Sequence, residues 1–242
     1  MARARKRHVQ QSIEFRTWGG KRRGAGRPKR GYRASERHKK RPALSARASA
    51  HVIIRIEEDV ANLRKRRCYH AIRTALITAY RRQDFRIVHI SLQRKHVHLI
   101  VEADDERALS KGMQGFQVAA ARRINEAISK QRGSLRHGRV FVDRYHARIL
   151  RTPTEVRHAI NYVLNNWRHH DENDGFETKN WEVDYFSSGP TFTGWRDPIP
   201  PLPSGYMPLL TSKPKTWLLN VGWMRTGTIS MYSRPGRDCH EG

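Results

Sequence analysis

Residues 95–102, Lys-His-Val-His-Leu-Ile-Val-Glu, constrain this chain more than any other stretch. His96 and His98 fall on one side of a two-residue period, and Val97, Leu99 and Val101 fall on the other. That period predicts a β-strand with its apolar face in a core. Val52, Ile54 and Ile56 alternate in the same way. So do residues 85–92, whose Val88, Ile90 and Leu92 are expected to face the core before Gln93-Arg94 turns into the histidine strand. Helical spacing runs over residues 62–82 (Ile72, Leu76, Ala79) and over residues 106–131, with a loop at 133–138. Residues 140–150 are a fourth extended segment. Thr152 as N-cap, Pro153 in the first turn and Glu155 three residues after the cap then open a helix that carries Ile160, Tyr162, Val163 and Asn166. The order β-α-β-β-α-β-α is an α+β, ferredoxin-like antiparallel sheet with one appended helix. Alternation leaves one sheet face for the helices and turns the other, bearing both histidines, outward.

The chain has 242 residues and a formal net charge of +26, with only 37% apolar residues. So large a basic excess favours a polyanionic partner, because each Lys or Arg set on a phosphate releases condensed counterion. Nucleic acid is favoured over a membrane surface, since no basic helix with a clean apolar face occurs. No apolar run is long enough to span a bilayer, and no apolar leader segment stands at the basic N-terminus. A cytoplasmic protein is expected, and Cys68 and Cys239 lack the spacing of a disulfide framework or zinc site.

Three regions follow from composition: a basic arm over 1–50, a folded domain over 51–170 and a Trp/Pro-rich tail over 171–242. The arm holds 17 Lys/Arg against two acids, Glu14 and Glu36, and too few apolar residues for a core. Within it, Arg22, Arg23, Arg27, Lys29 and Arg30 surround a Gly-Arg-Pro centre that resembles an AT-hook, an element for the narrow minor groove. A generic basic arm fits the same residues. In the tail, Trp181, Trp195, Trp217 and Trp223 are expected to dock it, and residues 216–231 to form a small satellite cluster.

Two imidazoles one residue apart on a strand suit a single divalent ion. Tyr162 and Asn166, four apart on a helix, share a face. Two imidazoles with an amide oxygen make a mixed N/O set that suits Mn²⁺ or Mg²⁺ as a Lewis acid. A free phenol titrates near ~10, so a tyrosine nucleophile needs help from a metal or cation. Tyr145 is the rival tyrosine, on a strand-like segment where packing or base stacking is its expected role. Arg144, His146 and Arg148 alternate onto one face as phosphate contacts, and Arg64, Lys65, Arg66 and Arg67 form a basic clamp at a helix start. A solvated charged face is the bland alternative for both groups.

Residues 95–102 resemble the HUH motif (His, hydrophobic, His) of single-tyrosine transposases. Residues 140–146 followed by 155–166 resemble the C-terminal catalytic block of that family. The nearest branch is that of the REP-associated tyrosine transposases, which act on single-stranded DNA hairpins, and the resemblance covers residues 50–170. It implies that His96, His98 and Asn166 hold a divalent ion (Mg²⁺ or Mn²⁺) and that Tyr162 is the nucleophile. Tyr162 would form a 5′-phosphotyrosine link, and a 3′-hydroxyl would reverse it. It also implies a bacterial, nucleoid-associated protein with DNA as its partner, and leaves monomer or homodimer open. Trp167 stands where that branch commonly has proline. The alternatives are a catalytically inactive or domesticated DNA- or RNA-binding protein, and a replication- or relaxase-type nickase.

Overall fold

A computed structural model describes residues 43–60, 62–169 and 182–235, all within one compact unit. Seven elements come first in order: β1 (Ser49–Arg55), α1 (Arg66–Tyr80), β2 (Phe85–Leu92), β3 (His96–Ala103), α2 (Glu106–Arg132), β4 (His146–Leu150) and α3 (Pro153–His169). The sheet order is β2-β3-β1-β4, with every neighbouring pair antiparallel. This is the ferredoxin-like arrangement with α3 appended. The basic arm residues Arg22, Arg23, Arg27, Lys29 and Arg30 lie outside the described residues, as does Trp181.

One sheet face carries Val52, Ile54, Ile56, Val97, Leu99 and Val101, packed with Ile72, Leu76 and Ala79 of α1 and Met113, Phe116 and Ile124 of α2. Gly112 lets α2 come down on β2, because a Cβ there would stand 2.1 Å from the Phe85 ring. α2 is capped by the Asp105 carboxylate, which accepts from Ala108 N–H at 2.6 Å.

The opposite face is turned outward only in part: Arg55, His146 and Arg148 on it are exposed, but much of the rest is covered. α3 lies over that part, with Val156, Ile160, Val163 and Leu164 packed against Val88, Ile100 and Leu150. A β-bulge at Ile87/His89 explains Val88: the extra residue reverses the phase, so Ile87 and Ile90 both point to the α1/α2 side and Val88 to α3. The α3 start forms as expected. The Glu155 carboxylate accepts from Thr152 N–H (3.2 Å) and Arg151 N–H (2.7 Å), while Thr152 Oγ1 accepts from Glu155 N–H (3.2 Å). The fourth strand is shorter than residues 140–150, because residues 142–144 bend and only an isolated Phe141–Ile56 bridge precedes them.

The tail is built into the sheet. Leu92 N–H donates to Phe186 O (2.9 Å), Ser188 N–H to Ile90 O (2.8 Å) and Ser212 N–H to Ile87 O (2.8 Å), which covers the β2 edge. Asp184, fully buried, receives two hydrogen bonds from Arg64 at 3.0 and 2.9 Å. A short helix, α4 (Trp217–Asn220), follows Lys215 and Thr216, whose backbone N–H groups both donate to the Glu102 carboxylate at 2.8 Å. Residues 216–231 are therefore no satellite: Leu219, Trp223 and Ile229 join the α3 core, with Trp195 against it. Trp217 does not dock, and is 51% exposed.

Candidate active site

The strand register fixes the site. On the α3 side, His98 of β3 stands opposite Ile53 of β1, which stands opposite His146 of β4. One row along, Ile100, His51 and Arg148 are aligned, and Arg55 is opposite His96. The packing of Ile160 and Val163 on this face delivers Tyr162 to the histidines. The His96 and His98 ring centroids are 4.7 Å apart at 87°, and the Tyr162 ring lies edge-on to His98 at 5.2 Å. A single chain therefore brings both histidines and the tyrosine together.

His51 is a fourth member that sequence reasoning missed. Its Nε2 lies 3.2 Å from Nδ1 of His98, its ring stacks on His98 at 5.4 Å, and it meets Tyr162 at 5.7 Å. Burial pushes its pKa down to about 4, with His146 and Arg148 adding to the shift, so it is neutral near pH 7. The signal was its phase: His51 is out of step with Val52, Ile54 and Ile56, and so lies on the His98 side.

Burial raises the pKa of Tyr162. The protein surroundings alone thus hold the phenol protonated, and ionisation calls for an added positive charge. Asn166, one turn along α3, is fully buried, and neither its Oδ1 nor its Nδ2 has a hydrogen-bond partner among the described residues. A buried amide in that state is costly, which fits a group whose oxygen serves a ligand. Among the described residues no three His, Cys, Asp or Glu side chains are grouped to hold a metal. An ion held by His96, His98 and the Asn166 oxygen would have the mixed N/O set that suits Mg²⁺ or Mn²⁺, so the residues present fit it.

The tail buttresses the outer side of α3. Asn165 Nδ2 donates to Asn161 Oδ1 (2.8 Å), Ser230 O (3.0 Å) and Ser233 Oγ (3.2 Å), and Arg168 Nε donates to Met231 O (3.0 Å). Trp167, where proline was the common residue, is buried, and α3 runs on through it to His169.

The basic residues separate into groups. Arg144, His146 and Arg148 are exposed, with Arg148 also 3.2 Å from Glu155. Lys65 and Arg66 are exposed and Arg67 half-buried. Arg64 departs from the clamp: its side chain is 6% exposed, bonded to Asp184 and to Leu92 O and packed over the Phe186 ring. Tyr145 is packed, 4% exposed, with its hydroxyl 3.4 Å from Ser110 Oγ.

The family model "Transposase IS200 like" matches residues 45–166. The chain belongs to the IS200-like transposase family. That span contains His51, His96, His98, Tyr162 and Asn166, while the tail that braces α3 lies beyond it. As an IS200-like transposase the protein is an enzyme that cleaves DNA, and DNA is its partner. Two solved structures are similar. One is a REP-associated tyrosine transposase bound to a REP hairpin, with 17% identity and a TM-score of 0.42 over 56% of this chain and 74% of that chain. The other is a protein from Deinococcus radiodurans R1 assigned as a transposase, with 15% identity and a TM-score of 0.34 over 57% of this chain and 96% of that one. No curated protein matches this transposase. Among the described residues no helix is long and apolar enough to cross a membrane.

Proposed function

We propose that this transposase cleaves and rejoins single-stranded DNA through Tyr162, in a metal-dependent reaction on hairpin-bearing strands. The observation that carries the reading is the approach of Tyr162 to His98 at 5.2 Å beside the His96–His98 pair, within one chain. Tyr162 Oη attacks phosphorus, the P–O3′ bond breaks, and the released 3′-oxygen takes up a proton. The product is a 5′-phosphotyrosine and a 3′-hydroxyl. Attack by another 3′-hydroxyl restores a phosphodiester and the free phenol, so bond energy is conserved throughout. His96, His98 and Asn166 would hold the ion. When bound, such an ion supplies Lewis-acid polarisation of a phosphate oxygen and the positive charge that favours the phenolate.

His51 keeps the His98 ring in place through their shared hydrogen bond, as supporting partners of metal-binding histidines do. The tail bonds to Asn165 and Arg168 hold α3 at a fixed height over β3, so that the tyrosine reaches its own chain's histidines. The hairpin preference rests on the resemblance of residues 95–102, 140–146 and 155–166 to the REP-associated branch. The test is a denaturing gel with end-labelled hairpin strands taken from repeats flanking the gene, with Mn²⁺ or EDTA. A covalent adduct that needs metal and is lost in Tyr162→Phe supports the reading. Tight binding without any adduct turns it to a DNA-binding protein.

A further inference from the structure

A second site lies at the far end of the sheet, and the tail builds half of it. A groove of about 630 Å³ is walled by Ala46 and Arg47, by Arg86 on β2, by Glu102 and Ala103 at the end of β3 with Asp104 after it, by Arg151 before α3 and Pro153 at its first position, and by Lys215–Leu218. Its size falls within the range of about 300–1,000 Å³ typical of ligand sites. Four cations face two carboxylates there, Glu102 and Asp104. Glu102 is already occupied: it accepts the backbone N–H groups of Lys215 and Thr216 and lies 4.0 Å from Arg86. Arg47, Arg151 and Lys215 are exposed.

The aromatic component is Trp217, 51% exposed in a protein that buries Trp167 and Trp223. Its indole is fixed on one side. Gly222 lies so close that a Cβ there would stand 2.7 Å from the ring, and the Arg225 guanidinium sits 5.2 Å from the ring centre. A rigid, half-open indole beside a cluster of cations is the combination that holds single-stranded nucleic acid, with a base stacked on the ring and phosphates on the cations. Pro153 and Tyr162 are nine residues apart on α3, about 13 Å along the axis. That is roughly four phosphate spacings of a B-form strand and fewer of an extended one.

We infer that this groove is a subsite for a nucleotide of the single-stranded flank of the DNA substrate, stacked on Trp217 and held by Arg47, Arg151 and Lys215. The inference rests on the proposed single-strand reaction but adds a site outside the 45–166 family match, supplied by this chain's own tail. Glu102 fixes the wall that carries Trp217.

The experiment is fluorescence anisotropy of the full chain in EDTA with labelled oligo-dT of increasing length. It compares wild type, Trp217→Ala, Trp217→Tyr and the double variant Arg151→Gln/Lys215→Gln. Affinity should rise with length, and Trp217→Ala should lower it about 5- to 150-fold, with Trp217→Tyr restoring most of it. The double variant should lower the slope of log K against log salt by about 1.4. Melting temperatures matching wild type would show that these losses are local. Unchanged affinity in Trp217→Ala overturns the subsite, as does an equal loss in Trp217→Tyr accompanied by a lower melting temperature. The adduct assay separates the two readings. An adduct in wild type with no Trp217 effect sinks the subsite alone; a Trp217 effect without any adduct sinks the Tyr162 chemistry and leaves the subsite standing.

Discussion

Replacing Asn166 with leucine should make the metal-free protein more stable while removing its response to metal. Asn166 is fully buried at the end of the Tyr162 turn, and both polar atoms of its amide lack a hydrogen-bond partner among the described residues. A buried polar group left in that state costs about 1–3 kcal/mol. Leucine has the same branched four-atom skeleton, with bulkier methyl ends and no polar atom to desolvate, so where the pocket takes the methyls Asn166→Leu should recover about that amount. For a chain of this length each kcal/mol moves the midpoint by about 2–4 °C. Thermal and urea unfolding in EDTA would therefore show a rise of several degrees. In wild type, Mn²⁺ at a hundredfold excess over its Kd should add about 2.7 kcal/mol. The variant should lose most of that gain, since the amide oxygen is one of three proposed ligands. A variant less stable than wild type in EDTA would mean the amide has a structural partner. An undiminished Mn²⁺ shift would remove Asn166 from the ligand set.

Asp184→Asn should cost about 3–5 kcal/mol in urea unfolding, because it leaves the Arg64 guanidinium buried without its counter-charge; a loss below 1 kcal/mol would show that the tail is not anchored there. His89 is buried, with its pKa pushed down to about 4 by desolvation, against 6.5 when unfolded. The unfolded chain binds more protons between those values, so stability is present above pH 6.5 and falls as the pH drops toward 4. His89→Gln should therefore remove about 2 kcal/mol of the wild-type loss between pH 7.5 and 5, and parallel pH profiles would refute that assignment. Deleting residues 1–42, which spares the buried Leu44 and Ser49, should weaken DNA binding and flatten its salt dependence; an unchanged slope would mean that the arm carries no phosphate contacts.

The sheet and the α3 start were legible because their information is local. The alternation of residues 97–101, the helical stripe of Ile72, Leu76 and Ala79 and the Thr152–Glu155 capping box each decide structure within a few residues. Alternation puts Val88 on the wrong face, because a bulge has no signature in apolar spacing. The cover that α3 lays over part of the histidine face could not be read either. It depends on α3 folding back across Ile100, a contact far away in sequence. Arg64 looked like part of a surface run until Asp184, 120 positions later, closed over it. Of the site, the His96/His98 pair and the Tyr162–Asn166 spacing were readable from period alone. His51 was readable in principle but has no neighbour in sequence to draw attention to it. In the tail, Trp195 and Trp223 were readable as docking residues, but its strand-edge pairing was not, because those bonds use backbone groups, which any residue type supplies.

The central claim is that Tyr162 becomes covalently joined to DNA. The most direct measurement is mass spectrometry of peptides from a trapped adduct, formed with Mn²⁺ on a hairpin strand and trimmed by nuclease. A nucleotide-bearing peptide that contains Tyr162, linked through a 5′-phosphate and absent in EDTA, is the predicted result. A nucleotide on Tyr145, a 3′-phosphate linkage, or cleavage that leaves no residue modified would contradict it.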